Sequence, residues 1–205
     1  MPEPRFRRRK EDRPEEITAA ALQAFAEKGY AATRVDDVAK RAGVSKGLLY
    51  LYFKTKEDLF KAVIRSFVVP RIDALRAIID SSELSSEEFL RGPFLDFAKA
   101  LPGSPIGILV RLMISEGPKH PDLLQFYWDN VISRGLGAIN ELLERGVASG
   151  EFRRSAVNEF PHLFAMPVLF SVIFRLLFEK QCLDTDKLIE AQVDILIAHM
   201  KGESK

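Results

Sequence analysis

Residues 39–58 read "AKRAGVSKGLLYLYFKTKED", and the punctuation inside this stretch constrains the fold more than any other feature of the chain. Gly43 suits the left-handed conformation that ends a helix, and Ser45, two residues on, is a preferred N-cap. Thr55 with Asp58 repeats the start signal as a capping box. Only nine residues, 46–54, remain between Ser45 and Thr55, too few for a helix that is stable in water without neighbours to pack on.

The neighbours are legible as well. Ile17, Ala20, Ala21, Ala24 and Phe25 recur at the spacing of an amphipathic helix. Pro14 fits its first turn, Glu15 and Glu16 favour its positive end, and Gly29 stops it. A second helix is expected after Thr33, with Thr33 as cap, Asp36 reaching back, and Val35, Val38, Ala39 and Ala42 as its inner stripe. A fourth runs from Lys56 with Leu59, Phe60, Val63, Ile64 and Phe67 inward, until Pro70 bends or ends it. Two short helices joined by a tight glycine-containing turn make a helix-turn-helix.

In the short helix Leu49 and Phe53, four apart, face inward. Lys46, Gly47, Leu48, Tyr50 and Tyr52 are left outside, the build of a recognition helix that enters a DNA major groove. Lys46 suits guanine acceptors or a phosphate, and Leu48 a thymine methyl. Gly47 lets the backbone approach, while the tyrosine hydroxyls and Lys54 are placed for phosphates. The competing interpretation is that Tyr50 and Tyr52 complete a small aromatic core. The pattern as a whole favours the recognition helix. The net charge of +1 hides 15 Lys/Arg against 10 Asp/Glu over residues 1–65, and 15 against 19 in the remainder. Opposite signs suggest two jobs, with a polyanion as partner of the first part.

The pieces A-x-x-x-F-x-x-x-G-Y (Ala21 to Tyr30), T-x-V-x-x-V-A (Thr33 to Ala39) and A-G-V-S-x-G-x-L-Y-x-x-F-x-x-K (Ala42 to Lys56) occur in order. From about Ile17 to Val63 the chain thus resembles the N-terminal domain of the tetracycline-repressor (TetR) family. The resemblance implies an all-α homodimer, usually a repressor, that binds double-stranded operator DNA and a small-molecule effector. It carries DNA contacts onto Thr33, Arg34, Lys46, Gly47, Leu48, Tyr50, Tyr52, Lys54 and Lys56. Many relatives have an aromatic residue where this chain has Leu51 and a histidine where it has Tyr52. The expected organisation is a basic flexible arm over 1–13, a three-helix helix-turn-helix domain over 14–65, and a ligand-binding and dimerisation domain over 66–205, about nine helices in all. The arm, with Arg5, Arg7, Arg8, Arg9 and Lys10, suits an adjacent minor groove or acts only as a solubilising tail.

Beyond Pro70 the periodicity predicts helices over Ser86 to Ala100, Pro105 to Glu116, Pro121 to Ser149, Ala156 to Lys180 and Thr185 to Lys201. The last two carry apolar stripes at Phe170, Phe174 and Phe178 and at Leu188 and Ile195, which suit either an intramolecular core or a two-fold dimer interface. A palindromic operator favours the interface. Phe94, Phe97, Met113, Glu116, Phe126, Tyr127, Trp128 and Asn130 are the candidate lining of an effector pocket, largely apolar with a few polar anchors. Leu109, Arg111 and Gln125 are further candidates. No catalytic motif or cofactor fingerprint is present, and Glu116, His120 and Asp122, around the GPKHP stretch, suit a solvated turn better than a metal site. A single cysteine, Cys182, and the lack of an apolar leader suggest a cytoplasmic protein without membrane contact. Two other classes fit parts of the chain: a helical ligand carrier or small enzyme with a vestigial head, and a non-specific architectural protein.

Overall fold

A computed structural model describes residues 13–178 and 180–202. The basic arm, with Arg5, Arg7, Arg8, Arg9 and Lys10, falls outside the described residues but for Arg13. All regular structure among the described residues is helical. The chain falls into two compact units, Met1–Pro70 with Leu112–Tyr127, and Arg71–Arg111 with Trp128–Lys205. Leu112–Tyr127 is thus grouped with the N-terminal segment.

In the first unit, α1 (Arg13–Ala32), α2 (Val35–Arg41), α3 (Lys46–Tyr52) and α4 (Lys56–Phe67) follow in order. Helix α1 breaks at Gly29, whose φ of 77° only glycine adopts readily. Ile17, Ala21 and Phe25 are buried against Leu59, Phe60 and Val63, and Val38 and Leu49 are fully enclosed. Phe25, Tyr30 and Phe60 form a ring cluster with centroids 5.2–5.6 Å apart. Leu112–Tyr127 adds to this unit because the His120 ring lies 4.8 Å edge-on from Tyr30, and because Lys61 and Arg65 lie over Phe126.

Helix α5 (Val69–Ser81), which periodicity alone did not predict, lies in the second unit from Arg71 onward. Pro70 occupies its first turn, where the missing N–H costs nothing. Then come α6 (Ser86–Phe89), a wide π turn over Leu90–Phe94, α7 (Leu95–Ala100), and α8 (Pro105–Glu116), which runs on into the first unit. After α9 (Pro121–Tyr127), which lies in the first unit, a second π turn at Trp128–Ile132 leads into α10 (Ser133–Ala148). The expected long helix over 156–180 is two, α11 (Ala156–Glu159) and α12 (His162–Leu177), separated at Pro161; α13 (Thr185–Lys201) closes the fold. Phe89, Leu90, Phe94, Leu142, Phe164, Val193 and Ile197 lie in one buried cluster. Among the described residues no single helix is long and apolar enough to cross a membrane.

Candidate nucleic-acid interface and ligand cavity

The turn that carries the interface is set by local chemistry. Gly43 takes φ 65°, Val44 N–H returns to Ala39 O at 3.0 Å, and Ser45 Oγ accepts from Leu48 N–H at 3.1 Å. The Thr55–Asp58 capping box starts α4, its two bonds 2.9 and 3.1 Å long. Helix α3 is thus pinned at both ends, with Leu49 wholly buried and Phe53 nearly so.

Its other side is open. Lys46, Gly47 and Tyr50 are exposed, Leu48 and Tyr52 are half-buried, and Lys54 lies exposed just beyond the helix. Leu51 is 74% exposed, an apolar side chain on the open side of the same helix. Lys46 Nζ pairs with Asp36 at 2.8 Å and stands 5.9 Å from the Tyr50 ring centroid. That hydrogen bond holds the Lys46 pKa above the ordinary lysine value. Arg34, exposed at the start of α2, completes the row.

Two expected contacts turn inward instead. Thr33 is 2% exposed, and its hydroxyl faces Gly29 O at 2.6 Å and Ala24 O at 3.1 Å. The N-cap of α2 is accordingly Arg34, without a side-chain cap bond, so the capping box expected at Thr33 and Asp36 is absent. Lys56 Nζ donates to Tyr30 O, Ala31 O and Thr33 O at 2.9, 3.1 and 3.3 Å and lies 4.5 Å from the Tyr30 ring centroid. It satisfies carbonyls that the end of α1 leaves without helical partners. Burial lowers its pKa, and the Glu116 carboxylate opposes the shift. Both residues brace the head from within.

The expected effector residues are divided between the two units. Met113, Glu116, Phe126 and Tyr127 belong to the first unit; Phe94, Phe97, Trp128 and Asn130 belong to the second. Phe94 packs edge-on against Phe164 at 5.6 Å in the core, with Phe97 beside that core, and Trp128 is 48% exposed. Met113 and Tyr127 are buried, and Glu116 Oε2 has no hydrogen bond and lies 3.6 Å from Lys119 Nζ. A cavity of about 370 Å³ opens elsewhere in the second unit, lined by Pro102, Ile108, Arg111, Val172, Arg175 and Leu176. Of these only Arg111 is among the sequence candidates. Arg175, a cation at the end of the apolar run of α12, was the signal available for the rest. Among the described residues no three His, Cys, Asp or Glu side chains are grouped to hold a metal ion.

Comparison with known proteins agrees with this architecture. Residues 17–63 match the family model of bacterial regulatory proteins of the tetR family, and residues 90–199 match the C-terminal domain of AefR-like transcriptional repressors. The chain belongs to the TetR family. A similar relative is the HTH-type transcriptional repressor KstR2 of Mycolicibacterium smegmatis, 32% identical over 144 residues, 69% of this chain and 68% of that protein. The fatty acid metabolism regulator protein of Bacillus subtilis is 26% identical over 146 residues, 70% of this chain and 74% of that one. Among solved structures, the transcriptional regulator FadR of Bacillus subtilis, in complex with stearoyl-CoA, superposes with a TM-score of 0.70 at 23% identity, covering 91% of this chain and 98% of that one. The TetR-family chain is a helix-turn-helix transcriptional regulator, and α3 is the helix that its family motif marks.

Proposed function

We propose that this TetR-family regulator is a cytoplasmic repressor that binds a palindromic operator as a homodimer and leaves it when a small, largely hydrophobic ligand binds the C-terminal region. One observation carries the DNA half: the exposed side of α3, N-capped by Ser45, with Lys46, Gly47, Tyr50 and Leu51 open to solvent. Arg34, Leu48, Tyr52 and Lys54 extend that surface, while Thr33 and Lys56 hold its frame. The dimer is assigned to α12 and α13. Support for the ligand half comes from relatives named for fatty acid metabolism and from the stearoyl-CoA complex of the FadR neighbour, so fatty-acyl compounds are the first to test. Phe94, Phe97, Met113, Glu116, Phe126, Tyr127, Trp128 and Asn130 remain targets for mutation, after the residues of the cavity itself.

The operator is found by footprinting DNA beside the gene for a protected inverted repeat. Lys46→Ala and Tyr50→Ala are then expected to weaken binding about ten-fold or more, since a specific contact is worth about 1–3 kcal/mol, with melting temperatures unchanged. Full-strength binding by both variants removes α3 as the reading helix.

A further inference from the structure

The cavity at Arg111 and Arg175 joins two cations to an apolar wall. Its shape depends on a close approach: Gly107 lies so near the preceding turn that a Cβ there would stand 2.5 Å from Pro102 O. The turn over residues 101–104 is thereby packed onto the start of α8, with Ile108 and Arg111 on the following turn of the helix. From the opposite side α12 contributes Val172, Arg175 and Leu176. Arg175 Nη2 donates to Thr185 Oγ1 at 3.0 Å, which fixes the guanidinium, and Nη1 lies over Gly103.

Arg111 and Arg175 both line the recess, and two cations beside one apolar wall suit an anionic group better than a neutral one. The planar fork of arginine matches a carboxylate or phosphate with paired N–H donors. Ile108, Val172 and Leu176 offer the same ligand an apolar wall, and the volume lies in the range of small-molecule sites. We infer that this cavity binds the anionic head and adjoining apolar part of an amphipathic small molecule, Arg111 and Arg175 holding its carboxylate or phosphate oxygens. The inference rests on the proposed ligand response and adds the charge of the ligand and the place where that charge is read.

Calorimetric titration of the full chain, without DNA, tests it with decanoate, decanol and decanoyl-CoA. Decanoate is expected to bind about ten-fold or more tightly than decanol, as for a lost charge-assisted hydrogen bond. Arg111→Ala and Arg175→Ala should erase that preference while leaving decanol unaffected. Arg175 also anchors Thr185, so Arg175→Lys, which keeps the charge and loses the fork, is measured beside it. Ile108→Trp should exclude all three probes by filling the cavity. Competition by free coenzyme A identifies a phosphate-bearing head, and decanoate binding without such competition identifies a free carboxylate; both fit. Equal binding of decanoate and decanol, a preference that survives loss of both arginines, or no binding of either anion overturns the inference. Operator affinity is scored separately, in the unsubstituted, ligand-free protein. A chain that binds operator but no anion loses only this inference, and one that binds decanoate but no operator loses only the regulator reading.

Discussion

Lys46 has two possible partners, and only one is on its own chain. Its ammonium sits on Asp36 at 2.8 Å, with both side chains more than half exposed, so the pair adds little to stability. In the operator complex proposed above, Lys46 exchanges that carboxylate for a phosphate or a guanine edge. On that proposal Asp36 is an internal competitor for Lys46. Asp36→Asn is expected to tighten operator binding about two- to five-fold, the worth of an exposed ion pair, and to leave the melting temperature unchanged. Fluorescence anisotropy with labelled operator at fixed salt measures this. Unchanged or weaker binding would mean that Asp36 positions Lys46 rather than competing for it. Residue roles of this kind are the least legible in a sequence. Thr33 has the composition of a cap, yet its hydroxyl is claimed by carbonyls of Ala24 and Gly29, which come within reach only once α1 has broken at Gly29. Lys56 is likewise drawn inward by carbonyls about 25 residues upstream along the chain.

Elements were legible where their boundaries are written locally. Gly43, Ser45, Thr55 and Asp58 carry the limits of α2, α3 and α4 in their own side chains and φ angles. Helix α5 was missed because Pro70 reads as a stop, although a proline in a first turn is also a start. The π turns at Leu90–Phe94 and Trp128–Ile132 leave the apolar rhythm nearly intact, so period alone merged them into longer helices. Contacts between elements are further from view, and Gly146 shows why. A Cβ on this residue of α10 would stand 2.3 Å from the Phe152 ring and 3.0 Å from Ser86 Cβ, with Phe152 only 3% exposed and unable to swing away. Gly146→Ala is expected to destabilise the chain by about 1–3 kcal/mol through overpacking. Gly137, in the same helix, has open space where its Cβ would lie, so Gly137→Ala should stabilise by about 0.5–1 kcal/mol through helix propensity. Thermal unfolding of the two variants side by side decides the matter; shifts of the same sign would show that the Phe152 contact does not govern Gly146.

For the whole molecule, the open question set by the chain alone is what covers its last two long helices. Met166, Leu169, Phe170 and Leu177 lie exposed on α12, and Ile195 on α13, several of them at helical spacing. A monomer rarely leaves such a stripe in water, and a self-complementary stripe is what a two-fold dimer buries. The proposed function makes the same demand, because two heads must engage two half-sites. The double substitution Leu169→Glu with Ile195→Glu places a charge on each helix where the proposed interface is apolar, while both positions are exposed in the single chain. Sedimentation should then give a mass near the 23.2 kDa of one chain instead of twice that value. Helical circular dichroism should be retained, since neither side chain belongs to the buried core. Binding to a full palindrome should fall to the level of an isolated half-site, while the unsubstituted protein keeps its preference for the whole. A variant that remains dimeric with full operator affinity would move the interface away from α12 and α13. A variant that is monomeric yet binds the palindrome undiminished would instead separate DNA recognition from two-fold symmetry.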